Sequence, residues 1–280
     1  MMPGVIKLRL EIQRPWLKVG PFWATLAGSI AAGGLSLQPR NWLLLVLVLF
    51  LTEGVMGNWW DHLLRLAGWK TSDRAEAIEM VPPPPYALPG SLAWKLWESL
   101  NRFAIWWMHI FWPQEGTDFL GLLVFTGLTW VLGIILGRIA YPLIAGAQAL
   151  GILGAMVARR GGDYLPAKGL FAVTFPWLLG CITFGAVTPI AFMVALLFGL
   201  MLWGIEERKA GKTAWLLLGT PQLALVLLLW WAKQPLLAAM VACIGLGLFF
   251  LLVGEREVKR LHLPLILSML LSALALALPG

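Results

Sequence analysis

Charge is scarce in this chain. Asp, Glu, Lys and Arg make up only 12% of the 280 residues, against 60% apolar. Mean hydropathy is +0.81. So few charges exclude a soluble domain, which could not bury that much apolar surface, and leave a polytopic membrane protein. Cysteine is scarce too. Cys181 and Cys243 both fall inside apolar runs, which excludes a disulfide framework and leaves them as small core residues. There are three histidines, and no His–Cys or paired-carboxylate spacing gives a zinc or iron signature. Gly-x-x-x-x-Gly-Lys, Gly-x-Ser-x-Gly and Cys-x-x-Cys are absent, so no phosphate loop, nucleophile elbow or redox pair is expected. Residues 1–18 alternate charged and apolar side chains without an h-region, so no cleaved signal peptide is expected there.

Long apolar runs are abundant. Nine can be drawn, at 20–38, 41–57, 119–137, 139–157, 169–186, 188–205, 214–232, 235–253 and 261–278. Each has about the length a spanning helix needs. The third and fourth meet at Gly137-Arg138, the fifth and sixth at Ala186-Val187, so both pairs should be tight hairpins. With the N-terminus cytoplasmic, 18 of the 21 Lys and Arg residues fall inside and three (Arg40, Arg138 and Lys233) outside. That asymmetry supports nine spans, N-terminus in and C-terminus on the opposite side. It assigns the net charge of +7 to topology rather than to nucleic acid. The whole chain, 1–280, reads as one all-α transmembrane domain.

The one long connection runs over 61–118. It contains Pro82-Pro83-Pro84-Pro85, a stiff spacer. Ser91 then caps a helix over about 91–113. Its apolar face carries Leu96, Trp97, Leu100, Phe103 and Trp107, with Lys95, Glu98 and Arg102 largely opposite. This pattern predicts an amphipathic helix in the membrane interface, serving as an anchor or as a docking surface for a protein or pigment.

Three further stretches carry a resemblance. The first is Arg14-Pro15-Trp16-Leu17-Lys18, followed by Pro21-Phe22-Trp23-Ala24 and the small-residue run from Gly28 to Gly34. The second is Pro176-Trp177-Leu178-Leu179-Gly180. The third is Glu206-Glu207-Arg208-Lys209-Ala210-Gly211-Lys212-Thr213, followed by Leu216 to Gly219. In their order, on nine helices, they resemble the UbiA-type intramembrane prenyltransferases, and among those the chlorophyll and bacteriochlorophyll synthase branch. The resemblance implies a helical bundle that binds a prenyl diphosphate through Mg²⁺. The ion needs hard carboxylate oxygens, which the family supplies as Asn-Asp-x-x-Asp-x-x-x-Asp after helix two and a second aspartate set after helix six.

Most of those aspartates are missing here. Gly57 stands at the motif's asparagine, Asn58 at its first aspartate and Arg65 at its third, and only Asp61 is kept. In the second set Glu207 falls at an aspartate position beside Glu206 and Arg208, and the loop after helix four keeps only Arg159-Arg160. One carboxylate per loop is a poor magnesium cradle, and Arg65 sets a cation where a ligand belonged. No catalytic residue and no free metal are therefore expected. Arg65, Arg159, Arg160, Arg208 and Lys212 read either as an anion pocket for a lipid phosphate or as positive-inside residues facing headgroups.

His109 lies in Ile105-Trp106-Trp107-Met108-His109-Ile110-Phe111-Trp112, among rings on which a macrocycle could stack. It is the first candidate ligand for a pigment magnesium, with His62 second. The 17 tryptophans fit aromatic belts, and Trp59 and Trp60 turn the motif's surroundings apolar. Gly146, Gly151, Gly154, Gly245 and Gly247 allow close helix packing.

The resemblance with a dismantled metal site implies a non-catalytic integral membrane subunit. It would be a structural and possibly pigment- or lipid-binding part of a photosynthetic reaction centre or light-harvesting complex in a bacterial inner membrane. Bacteriochlorophyll, carotenoid or quinone are the cofactors implied, and other integral membrane proteins and lipids the partners. Two alternatives stand beside it: a divergent Mg-dependent prenyltransferase attaching pigment or quinone tails, and a lipid or pigment carrier or assembly factor.

Overall fold

A computed structural model describes residues 18–34, 38–68, 82, 84–85, 88–209, 215–253 and 258–278. The described residues form nine continuous helices and no strand. These are α1 (Pro21–Ala31), α2 (Pro39–Gly68), α3 (Leu92–Leu136), α4 (Ala140–Arg159), α5 (Leu165–Phe184), α6 (Pro189–Lys209), α7 (Trp215–Trp231), α8 (Pro235–Val253) and α9 (His262–Ala277). Among the described residues, α2 to α6 are long and apolar enough to cross a membrane. The chain is a multi-pass membrane protein.

The hairpins fall where the runs touch. Gly137, at φ +106°, ends α3 and the chain re-enters helix at Ala140. Pro189 starts α6 five residues after the end of α5.

Two expectations need correction. The run over 20–38 is not one span, because α1 stops at Ala31. Gly33 takes φ +73°, its N–H bonds to Ile30 O, and Gly34 N–H bonds to Ser29 O at 2.7 Å. That is a glycine C-terminal cap, which a continuous apolar pattern conceals. The second correction concerns the interfacial helix. Ser91 does cap it, accepting Trp94 N–H at 3.1 Å. It is not a separate element, however, but the first part of α3, which runs for 45 residues. At 1.5 Å per residue α3 is about 67 Å long, against a hydrocarbon layer of about 30 Å. Pro113 would end an ordinary helix, since it lacks an N–H and crowds the carbonyl four residues back. A π-helical stretch at Trp106–Phe111 accommodates it, and no residue from Gln114 to Asp118 stops the chain. A second π-helical stretch, Leu170–Thr174, precedes Pro176 in α5 in the same way.

α5 is the hub. Trp177, Leu178 and Cys181 belong to a core shared with α1, α6, α7, α8 and α9. Phe171 and Leu179 belong to a second core with α2, α3 and α4. Between apolar helices in lipid, close backbone approach replaces hydrophobic drive. A Cβ on Gly28 would lie 2.0 Å from Trp177 O, and one on Gly180 would lie 2.4 Å from Thr25 O. Cys181 Sγ donates to Gly28 O across the same crossing. Gly169 meets Gly199 between α5 and α6 in like fashion. The Pro176–Gly180 stretch thus lies in the α1–α5 contact.

Candidate functional site

The C-terminal end of α2 is filled with rings. Trp59 and Trp60 are buried. Phe171 of α5 stacks on both, with ring centroids 5.8 and 4.7 Å away. Trp59 Nε1 donates to Thr126 Oγ1 of α3 at 2.9 Å, so its one polar atom is satisfied. α4 makes room with glycine. A Cβ on Gly151 would lie 2.6 Å from the Trp59 ring, and one on Gly154 would lie 2.8 Å from Ala167 Cβ and 3.4 Å from the Trp60 ring. Gly146 meets only the edge of Phe175, Gly245 backs onto Gln222, and Gly247 has nothing within 4 Å.

The polar residues of the motif lie on α2 itself, and most of them face partners from this chain. Asn58 Nδ2 donates to Gly54 O of its own helix. Asp61 is exposed. His62 Nδ1 lies 2.6 Å from Asp118 Oδ1 of α3, and Arg65 Nη1 lies 3.5 Å from the same oxygen. The His62 ring stacks on Phe125. Its Nε2 sits over Gly121, where a Cβ would come within 2.6 Å. With one nitrogen bonded and the other pressed against α3, His62 has no face for a macrocycle. That packing argues against His62 as a pigment ligand.

Asp118 went unread in the sequence, where it marks only the end of a long connection. Nothing local ties it to a histidine 56 residues earlier. Replacing it tests the joint. Asp118→Asn is expected to cost about 1–2 kcal/mol, since charged hydrogen bonds exceed neutral ones but the site is partly solvated. Thermal unfolding in detergent reads this directly. An unchanged midpoint would mean that aromatic packing alone holds α2 to α3.

Glu53 was also missed. A lone acid in an apolar run is itself a signal. Its Oε2 accepts Phe22 N–H at 3.0 Å, so it caps the start of α1, where the helix dipole favours negative charge. Beside it, Thr52 Oγ1 and Thr25 Oγ1 are 2.8 Å apart.

The second motif set lies at the end of α6. Glu206 Oε2 pairs with Lys168 Nζ of α5 at 3.2 Å. Glu207 is buried and accepts from Trp203 Nε1 at 2.9 Å. Arg208 is partly buried and engaged. α5 touches both sets, with Phe171 against α2 and Lys168 against α6. Arg159 and Arg160 are exposed at the C-terminus of α4, where cations suit the helix dipole. Lys212 lies outside the described residues.

Magnesium prefers an octahedral cage of oxygens. Among the described residues no three His, Cys, Asp or Glu side chains converge. Asp118 faces two bases, Glu206 an ammonium and Glu207 an indole N–H. These residues do not fit a magnesium diphosphate.

His109 differs from the other two histidines. It is exposed, within the π-helical stretch of α3. In the same stretch the rings pack on one another: Trp107 stacks on Phe111 at 4.9 Å and Trp106 on Phe111 at 5.2 Å, with Phe119 edge-on to Trp107. His262 is buried at the head of α9 and accepts Val19 N–H at 3.2 Å, a structural role.

No family model matches this chain, and no curated protein or solved structure matches it.

Proposed function

We propose that this chain is a non-catalytic integral membrane subunit. It is built on a nine-helix scaffold similar to the UbiA-type prenyltransferases, with its N-terminus cytoplasmic and its C-terminus opposite. Its setting is a photosynthetic reaction centre or light-harvesting complex of a bacterial inner membrane, where it has a structural role and binds pigment or lipid. One observation carries the non-catalytic part: Phe171 stacks on Trp59 and Trp60 at the C-terminal end of α2, while Asp118 and Glu206 nearby are neutralised by bases of this chain. The photosynthetic setting rests on the resemblance to the chlorophyll synthase branch.

Gentle detergent purification from the native membrane tests the reading. The expected result is stoichiometric co-elution with photosynthetic subunits and the absorption bands of bacteriochlorophyll or carotenoid. A colourless, solitary protein would overturn it and favour a lipid or pigment carrier.

His109 is the proposed pigment ligand. Its exposed imidazole supplies an axial nitrogen, in a stretch of α3 rich in aromatic rings. His109→Leu is expected to remove most of the bacteriochlorophyll that co-purifies, with the thermal midpoint of the bundle unchanged. Full pigment content in that variant would exclude His109 as ligand.

A further inference from the structure

A groove of about 530 Å³ opens between α7 and α8. Its walls are apolar, with Trp215 and Phe249 at one end and Leu223 and Val226 along one side. The volume is that of an ordinary ligand pocket. Thr220 and Gln222 are the polar side chains in the lining; Thr220 Oγ1 donates to Leu216 O of its own helix. Gln222 is 8% exposed, and its Nε2 donates to Val241 O at 3.0 Å. That bond settles which way the amide points, because only the NH₂ can donate to a carbonyl. Gln222 Oε1 is then left buried with no hydrogen-bond partner. An orphan acceptor is costly where no water reaches it.

We propose that this groove binds a long apolar molecule carrying one hydroxyl, whose O–H donates to Gln222 Oε1. The apolar walls select the chain and the orphan acceptor selects the donor. Oε1 is itself closed to solvent, so an occupant reaches it as the amide turns about its terminal torsion, which is broad in glutamine. An ordinary acyl chain would fill the walls and leave the oxygen unpaired. This site is independent of the subunit reading, and either can fail without the other.

The groove offers a block that leaves the packing intact. Gly219 lines it, and a Cβ there meets nothing within 4 Å, so Gly219→Leu starts its side chain in open space and is expected to occupy the groove. The test uses the full chain in phosphatidylcholine nanodiscs, with a diazirine-bearing C18 alcohol and its methyl ether as probes. Labelled peptides are read by mass spectrometry. The alcohol is expected to label α7 and α8 at about tenfold lower concentration than the ether, the worth of one ordinary hydrogen bond. Gln222→Leu should erase that difference, and Gly219→Leu should abolish labelling by both at an unchanged thermal midpoint. Equal labelling by alcohol and ether would overturn the proposal, as would labelling that survives Gly219→Leu. Either result would leave only a crevice for bulk lipid.

Discussion

Gly28→Ala is expected to yield little or no correctly folded protein. The added methyl would sit 2.0 Å from Trp177 O and 2.8 Å from Trp177 C, both backbone atoms. A backbone contact cannot be relieved by a rotamer change, so α1 would have to move off α5. Overpacking of a rigid core costs roughly 1–3 kcal/mol and more where nothing can yield; here the cost is expected at or above about 3 kcal/mol. Moving α1 would also pull Thr25 from Thr52 and Phe22 N–H from Glu53, two further bonds between α1 and α2. Fluorescence-detected size exclusion should show aggregate in place of a monodisperse peak. Gly247→Ala is the matched control, since a Cβ there meets nothing within 4 Å, and it should behave as the parent. A monodisperse Gly28→Ala protein with the parent's midpoint would mean that the α1–α5 crossing is wrongly described.

Phe171→Ala carries the second large effect. Phe171 is 3% exposed and its ring stacks on Trp59 and Trp60 together. Truncating a buried Phe costs about 3–5 kcal/mol through lost contacts and the cavity left behind. In lipid the lower end applies, because dispersion rather than dehydration is what is lost. Phe171→Leu should keep much of the volume and lose about a third as much. The variant also tests function. An opened cavity between α2 and α5 would still be lined by indoles, with Asp118 and Glu206 held by bases, so no diphosphate site should appear. Calorimetry with Mg²⁺ and a prenyl diphosphate should give no heat of binding in the parent or in Phe171→Ala. Binding by the variant would show that the rings merely cover a working metal site, and the non-catalytic reading would fall.

The reach of the sequence is clearest at the hairpins and weakest at the long helices. The breaks at Gly137-Arg138 and Ala186-Val187 were legible because two apolar runs of spanning length meet there, and glycine punctuates the first through its own covalent structure. The Ser91 cap was legible for a similar reason, a hydroxyl one residue before a helical pattern. The union of the interfacial helix with the third apolar run was not, since Pro113 reads as a break unless a π-helical turn absorbs it. The shortness of α1 was hidden for the opposite reason: alanine and glycine continue an apolar run while Gly33 ends the helix. At the site, the scarcity of carboxylates could be counted in one dimension, and the helical spacing of Asn58, Asp61, His62 and Arg65 was plain. Their partners were not. Asp118 for His62, Lys168 for Glu206 and Phe171 for Trp60 all come from other helices.

Composition and period alone determined the membrane class, the all-helical architecture and the positions of most of the nine helices. Those properties follow from each residue's own solvation and torsions, which need no distant partner. Only the tertiary structure decided that α5 touches both the end of α2 and the end of α6, that glycine brings α1 against its backbone, and that rings rather than carboxylates face one another at the C-terminal end of α2. Contacts of that kind depend on which helix lies beside which, and short loops between similar apolar helices leave many arrangements equally good until the side chains interlock.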